Sequence, residues 1–158
     1  MYLSESIQWQ DQSATMVGII PGNAIMNKKP QGRGYVQLEE TAYIPWSKDC
    51  LNPIDKVISG ETSLKTIKAH EFHYSRLDST IEKLTSKGKF AYKVKRGVGI
   101  TGDFDGWVYN NLIANYTHLR STAAYPWTNY FMAFIRSKSA AKNRTRFNTC
   151  GQMESNYD

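Results

Sequence analysis

Cysteine is nearly missing from this chain. Cys50 and Cys150 stand a hundred positions apart with no C-x-x-C spacing, so they form neither a zinc ligand set nor a disulfide framework. Both are expected as free thiols, and no metal site is expected. Cys50, between Asp49 and Leu51 in irregular sequence, lacks the strand, sharp turn and helix that would present a nucleophile. Long apolar runs are absent too, which excludes a membrane-spanning helix. The first residues, M-Y-L-S-E-S-I-Q-W-Q, carry no basic flank and no apolar h-region, so no secretory signal is visible and a cytoplasmic protein is expected. Gly22, Gly32 and Gly34 match neither G-x-G-x-x-G nor Walker spacing and make no phosphate-cradling loop. Acid is missing from 136–146, where Arg136, Lys138, Lys142, Arg144 and Arg146 stand together. With no recognition motif beside them, these charges read as a solvated tail, and neither nucleic acid nor membrane is expected as a partner. In G-D-F-D-G, Asp103 and Asp105 lack the third ligand position and distal Glu of a calcium loop, and read as a turn.

What remains is a chain of 158 residues, 41% apolar, with four Trp, ten Tyr and six Phe. That is the size of one ordinary domain, with no second independently folded unit expected. The spacing of Tyr2, Leu3 and Ile7 predicts a short opening helix, and the β-branched run from Val17 to Ile20 a strand ended by Pro21-Gly22. Strands are predicted at Tyr35–Leu38, Ala69–Ser75 and Phe90–Lys95, the last ended by Gly97 and Gly99. Thr41–Ser63 reads as a long irregular connection. Asp105-Gly106 reads as a hairpin turn before a strand region over Trp107–Tyr116. A helix is predicted to begin at Pro126, with Trp127, Tyr130, Phe131, Phe134 and Ile135 at helical spacing. From Ser139 onward the polar, basic composition predicts disorder, so the organisation reads as 1–138 followed by a basic tail over 139–158.

The chemistry concentrates in A-H-E-F-H-Y-S-R-L, Ala69 to Leu77. With a strand's period of two, Glu71, His73 and Ser75 face one side while His70, Phe72 and Tyr74 face the other. His70 and His73, three apart and on opposite faces, do not have the four-residue helical spacing with which H-E-x-x-H binds zinc. One histidine hydrogen-bonded in the core and one at the surface is the bland alternative. His118 is placed near a strand end, where bases in open α/β sheets commonly sit; a satisfied structural histidine is the alternative there.

Four segments in order are similar to the glutaminase domain of the cobyrinic acid a,c-diamide synthase family: M-Y-L at Met1, G-I-I-P-G with the following P-Q-G-R-G-Y, A-H-E-F-H-Y-S, and D-G-W-V-Y-N-N-L-I-A-N-Y-T-H-L-R. The resemblance implies an α/β fold, the C-terminal part of a class I glutamine amidotransferase-like (flavodoxin-like) domain with a mixed sheet flanked by helices. The H-L-R ending resembles a branch of sulfur oxidisers thought to amidate sirohaem-type tetrapyrroles. The family's nucleophilic cysteine sits in an E-C-G-G turn just before M-Y-L, and neither Cys50 nor Cys150 matches it. The expectation is therefore a fragment, inactive alone, that lacks the nucleophile and an upstream ATP-binding domain. ATP and Mg are expected in that missing segment, and no cofactor in this chain.

By the same resemblance His118 matches the catalytic histidine, which would hold the cysteine as thiolate and pass a proton to ammonia. Related class I enzymes carry a Glu two residues later, where this chain has Arg120. His73, Tyr74 and Ser75 resemble the segment that binds the α-amino and α-carboxylate groups of glutamine. Glu71 would either bind the ammonium or orient a histidine. The implied activity is ATP-dependent conversion of cobyrinate or sirohaem-like carboxylates to amides, with glutamine, the tetrapyrrole and the missing segment as partners. The alternative is a non-catalytic module that keeps the fold and binds a tetrapyrrole or a partner, with Trp46, Trp107 and Tyr125 as stacking surface.

Overall fold

Strand pairing dominates the chain. The computed structural model describes residues 1–46 and 66–151, with side chains as far as Ala140. These residues fall into two units, one made of 1–45 and 66–120, the other of Trp46 and 121–151. The first holds nine strands and a short helix: β1 (Ser6–Trp9), β2 (Gln12–Thr15), β3 (Asn23–Met26), β4 (Gly32–Glu40), β5 (Ile67–His73), β6 (Ser75–Asp78), α1 (Ile81–Lys87), β7 (Lys89–Arg96), β8 (Phe104–Tyr109) and β9 (Leu112–Ala114). They build a four-stranded sheet in the order β2-β1-β3-β6 and a five-stranded sheet in the order β5-β4-β7-β8-β9. The first sheet is mixed, because β1 pairs parallel with β3 and antiparallel with β2. The α/β class and mixed sheet expected from the sequence are present; the second sheet is wholly antiparallel.

The opening helix does not form. Residues 6–9 instead pair with β2, and 6–8 with β3 as well, because ten residues give too little helix to compete with a sheet that satisfies the same backbone groups. A two-residue turn at Gln10 and Asp11, with Gln10 at φ 53°, closes the β1–β2 hairpin. The run Val17–Ile20 is likewise not a strand. Gly18 turns it at φ 73°, and the amides of Val17, Gly18 and Ile20 donate to the carbonyls of Tyr2, Ser4 and Leu3. Its apolar character still serves the core, since Ile20 is buried with Leu84, Phe90 and Trp107.

Asp105-Gly106 is not a turn either. Both residues lie inside β8, with Asp105 opposite Tyr92. Gly106 sits at φ 69°, and a Cβ there would lie 2.6 Å from the Tyr92 ring, so the glycine permits a close approach across the sheet. The hairpin turns fall at 97–103 and at Asn110-Asn111, which splits the predicted 107–116 strand into β8 and β9. Between the two sheets' strands, α1 is capped by Thr80, whose side chain accepts from the Lys83 amide, as N-cap threonines do. It places Leu84 in the core.

In the second unit α2 (Trp127–Gly151) begins directly after Pro126. Phe134 is buried, and Trp46 lies with its ring 5.9 Å from Phe131 and 6.3 Å from Trp127. The helix continues past Lys138 to Gly151, through the stretch whose composition predicts disorder. Most of the predicted 41–63 connection and residues 152–158 lie outside the described residues. Among the described residues no helix is long and apolar enough to cross a membrane.

Candidate functional site

The A-H-E-F-H-Y-S segment forms the corner at which the chain leaves one sheet for the other. β5 ends at His73 in the five-stranded sheet and β6 begins at Ser75 in the four-stranded one. Tyr74 lies between them, its carbonyl taken by the Asn27 amide at 2.9 Å. The alternation expected of β5 holds: Ile67, Ala69 and Glu71 are buried while Lys68, His70 and Phe72 are exposed. Glu71, His73 and Ser75 therefore share the inner side.

Glu71 is only 3% exposed, and its two oxygens accept the amides of Val98 at 2.8 Å and Gly99 at 3.0 Å. A buried carboxylate is tolerable when such charge-assisted bonds replace water. The same carboxylate lies 3.5 Å from Nε2 of His73. On the ring's other side Nδ1 is 2.7 Å from the Ser75 carbonyl, which can only accept, so Nδ1 carries a proton. The His73 ring also stacks on Tyr116, centroids 4.2 Å apart and planes at 20°. The Tyr116 hydroxyl accepts from Ser75 Oγ at 3.1 Å. Burial raises the Tyr116 phenol above its ordinary value, opposed by the Ser75 hydrogen bond and assisted by the negative charge of Asp105.

Gly32 explains one part of the P-Q-G-R-G-Y stretch. It pairs with His73 across β4 and β5, and a Cβ at this position would stand 2.2 Å from His73 Nε2 and 2.8 Å from the Glu71 carboxyl carbon. Gly32→Ala is expected to destabilise the protein by about 1–3 kcal/mol through overpacking. Because the clash falls on Glu71, amide exchange at Val98 and Gly99 should rise as well. Denaturant unfolding with exchange measured by NMR checks this, and an unchanged midpoint with unchanged exchange would contradict it.

The exposed side of β5 carries a second pairing. β5 is an edge strand of its sheet, and His118 pairs with His70 on that edge: the His118 amide donates to the His70 carbonyl at 2.7 Å, and the His70 amide to the His118 carbonyl at 3.4 Å. The two imidazoles meet edge to face at 4.8 Å between centroids, and both residues are exposed. Arg120, in the slot of the implied third catalytic member, is exposed too. Tyr74 is exposed and turned onto the Phe72 ring, 5.5 Å away. The predicted residues thus divide, with Glu71, His73 and Ser75 inside and His118 outside beside His70. Tyr116 connects the groups in sequence, two residues before His118.

A cleft of about 580 Å³ opens beside His73, lined also by Gln31, Arg76, Val98, Gly99 and Asp103, within the range of small-molecule sites. Among the described residues no group of three or more His, Cys, Asp or Glu could hold a metal. Sequence reasoning missed Tyr116 and Asp105. The one signal available for Tyr116 was its spacing from His118, and Asp105 was hidden by the glycine after it. The stacking surface expected of Trp46, Trp107 and Tyr125 is corrected for two of its members, since Trp107 is fully buried and Trp46 is 5% exposed; both serve as packing.

The family model for the CobB/CobQ-like glutamine amidotransferase domain matches residues 1–125, a span that takes in the corner, the Gly32 contact and His118. The chain belongs to this family. Its relatives include cobyrinate a,c-diamide synthase of Magnetococcus marinus, 33% identical over 140 residues that make up 89% of this chain and 26% of that protein. The enzymes of the same name from Methanocaldococcus jannaschii and Methanosphaera stadtmanae are each 36% identical, over 78% and 80% of this chain and 23% of each of those proteins. The chain therefore spans about a quarter of the length of the curated relatives it matches.

Proposed function

We propose that this chain supplies the histidine side of a glutaminase site in an ATP-dependent amidotransferase acting on tetrapyrrole carboxylates, and that the nucleophilic cysteine comes from polypeptide upstream. The setting of His118 carries this reading: its backbone is held by the pairing with His70 while its ring remains open to solvent. A proton carrier needs a fixed origin and a free nitrogen.

On this reading the incoming thiolate attacks the carboxamide carbon of glutamine. His118 gives its proton to the leaving nitrogen, so that ammonia and a thioester form. Water then hydrolyses the thioester, His118 taking the proton back, and glutamate leaves. By the resemblance His73, Tyr74 and Ser75 would bind the amino acid end of glutamine; of these, His73 lines the cleft. Because both Glu71 oxygens accept backbone amides, its contribution is to hold His73 and the 97–99 loop. ATP and Mg, held upstream, would activate the acceptor carboxylate. Cobyrinate is the acceptor named in the relatives; a sirohaem-type macrocycle is the second reading, favoured by the H-L-R ending at Arg120.

The test is labelling of the full-length protein with a diazoketone analogue of glutamine, followed by peptide mapping. A single label on a cysteine outside these 158 residues is expected, with none on this chain expressed alone. Label on Cys50 or Cys150, or sustained glutamine hydrolysis by the isolated chain, would reject the proposal.

A further inference from the structure

Asp105 has no part in the scheme above, yet it is fully buried and its two oxygens are committed to one short stretch. Oδ1 accepts the Tyr116 amide at 3.1 Å and Oδ2 accepts the Thr117 amide at 2.8 Å. These are the two residues immediately before His118. β9 ends at Ala114, so no strand ladder holds residues 116 and 117, and the carboxylate takes the place of the missing strand. The chain then reaches the edge of β5, where the pairing of His118 with His70 begins. Gly99 closes the other side of Asp105: a Cβ there would lie 3.0 Å from the Asp105 Cβ, and the Gly99 amide is the one held by Glu71.

Burying a carboxylate in this way is costly. Burial raises the Asp105 carboxyl above its ordinary range, opposed by hydrogen bonding from Thr117, by side chain and backbone, and from the backbone of Tyr116 and Gly106. A strand position opposite Tyr92 could be filled by an apolar residue at no such cost.

We infer that Asp105 is a positioning residue for His118: by accepting the Tyr116 and Thr117 amides together, it fixes the backbone from which the imidazole projects. The functional half of this inference rests on the reading of His118 as the glutaminase's proton carrier. The geometric half does not.

Asp105→Asn separates the two halves. Asparagine keeps the volume but offers a single acceptor oxygen, so one of the two amides faces an NH₂ group and loses its partner. In the full-length enzyme, kcat for glutamine hydrolysis is expected to fall about 10- to 100-fold, the scale of an ångström-sized misplacement, with KM for glutamine held within about twofold. Amidation driven by added ammonium salt should be unchanged, because it bypasses His118. In the 158-residue chain studied by NMR, the wild-type Tyr116 and Thr117 amides should be strongly protected from exchange. The nuclear Overhauser contacts between His70 and His118 should weaken in the variant.

Wild-type kcat in a folded Asp105→Asn protein would overturn the inference. So would parallel loss of the glutamine- and ammonia-driven reactions with a lowered melting temperature, which marks a role in folding alone. If the variant does not fold, the wild-type exchange measurement decides, and unprotected Tyr116 and Thr117 amides would overturn the inference by themselves. Should His118→Ala retain glutamine turnover, the functional reading fails, while the exchange and Overhauser results still judge the geometry.

Discussion

Glutamine hydrolysis by the full-length protein is expected to fall about 10²- to 10⁴-fold when His118 is replaced by alanine, the contribution typical of a positioned general acid and base. Ammonia-driven amidation should survive the substitution, since His118 acts only where nitrogen leaves glutamine. Stability should hardly move. The His118 side chain is exposed, and both hydrogen bonds to His70 are made by backbone atoms that alanine keeps. Exposed substitutions of this kind stay within about 0.5 kcal/mol, so loss of activity could not be assigned to unfolding. Paired assays with glutamine and with ammonium salt, alongside a denaturant curve, make the measurement. Glutamine-dependent turnover near the wild-type rate would refute the role of His118.

The largest stability effect is expected at Trp107. Its side chain is fully buried among Ile20, Leu84 and Phe90, its indole N–H donates to the Leu84 carbonyl at 3.0 Å, and its ring stacks on Tyr109 with centroids 5.9 Å apart and planes at 22°. The backbone at Gly88 is pressed against it, for a Cβ there would fall 2.4 Å from the ring. Trp107→Ala removes this packing from the junction of α1, β7 and β8 and leaves a cavity. A loss of about 3–5 kcal/mol is expected, a large share of the roughly 5–15 kcal/mol that holds a domain together. Trp107→Phe should retain most of the packing and lose the hydrogen bond, at about 1 kcal/mol. Urea unfolding of the three proteins gives the ranking. A loss below about 1 kcal/mol for the alanine variant would show that this cluster is not the core of its unit.

The A-H-E-F-H part of the strand predicted over 69–75 could be read from the chain because its chemistry alternates with a period of two; the strand ends at His73, and Ser75 opens β6 in the other sheet. The start of α2 at Trp127 was visible for a similar reason, a proline followed by an apolar stripe. The failures share a different cause. Tyr2, Leu3 and Ile7 fit a helical spacing, but β1 sits between two partners supplied from elsewhere in the chain. In Asp105-Gly106 a local turn signal coincided with a long-range demand, the ring of Tyr92 pressing on the position of residue 106. Likewise nothing near Gly32 in the sequence announces that His73 and Glu71 occupy the space a side chain would need.

The residues by themselves determined the family, the α/β class, the two faces of β5 and the identity of the groups able to carry protons, because these follow from residue type, order and period. Only the tertiary structure decided which of those groups meet. It turned Glu71 onto the amides of Val98 and Gly99, laid His73 on Tyr116, set His118 beside His70, and gave Asp105 the two amides that precede His118. Each of these contacts joins positions 11 to 48 residues apart along the chain, a separation over which local periodicity carries no information and sheet pairing does.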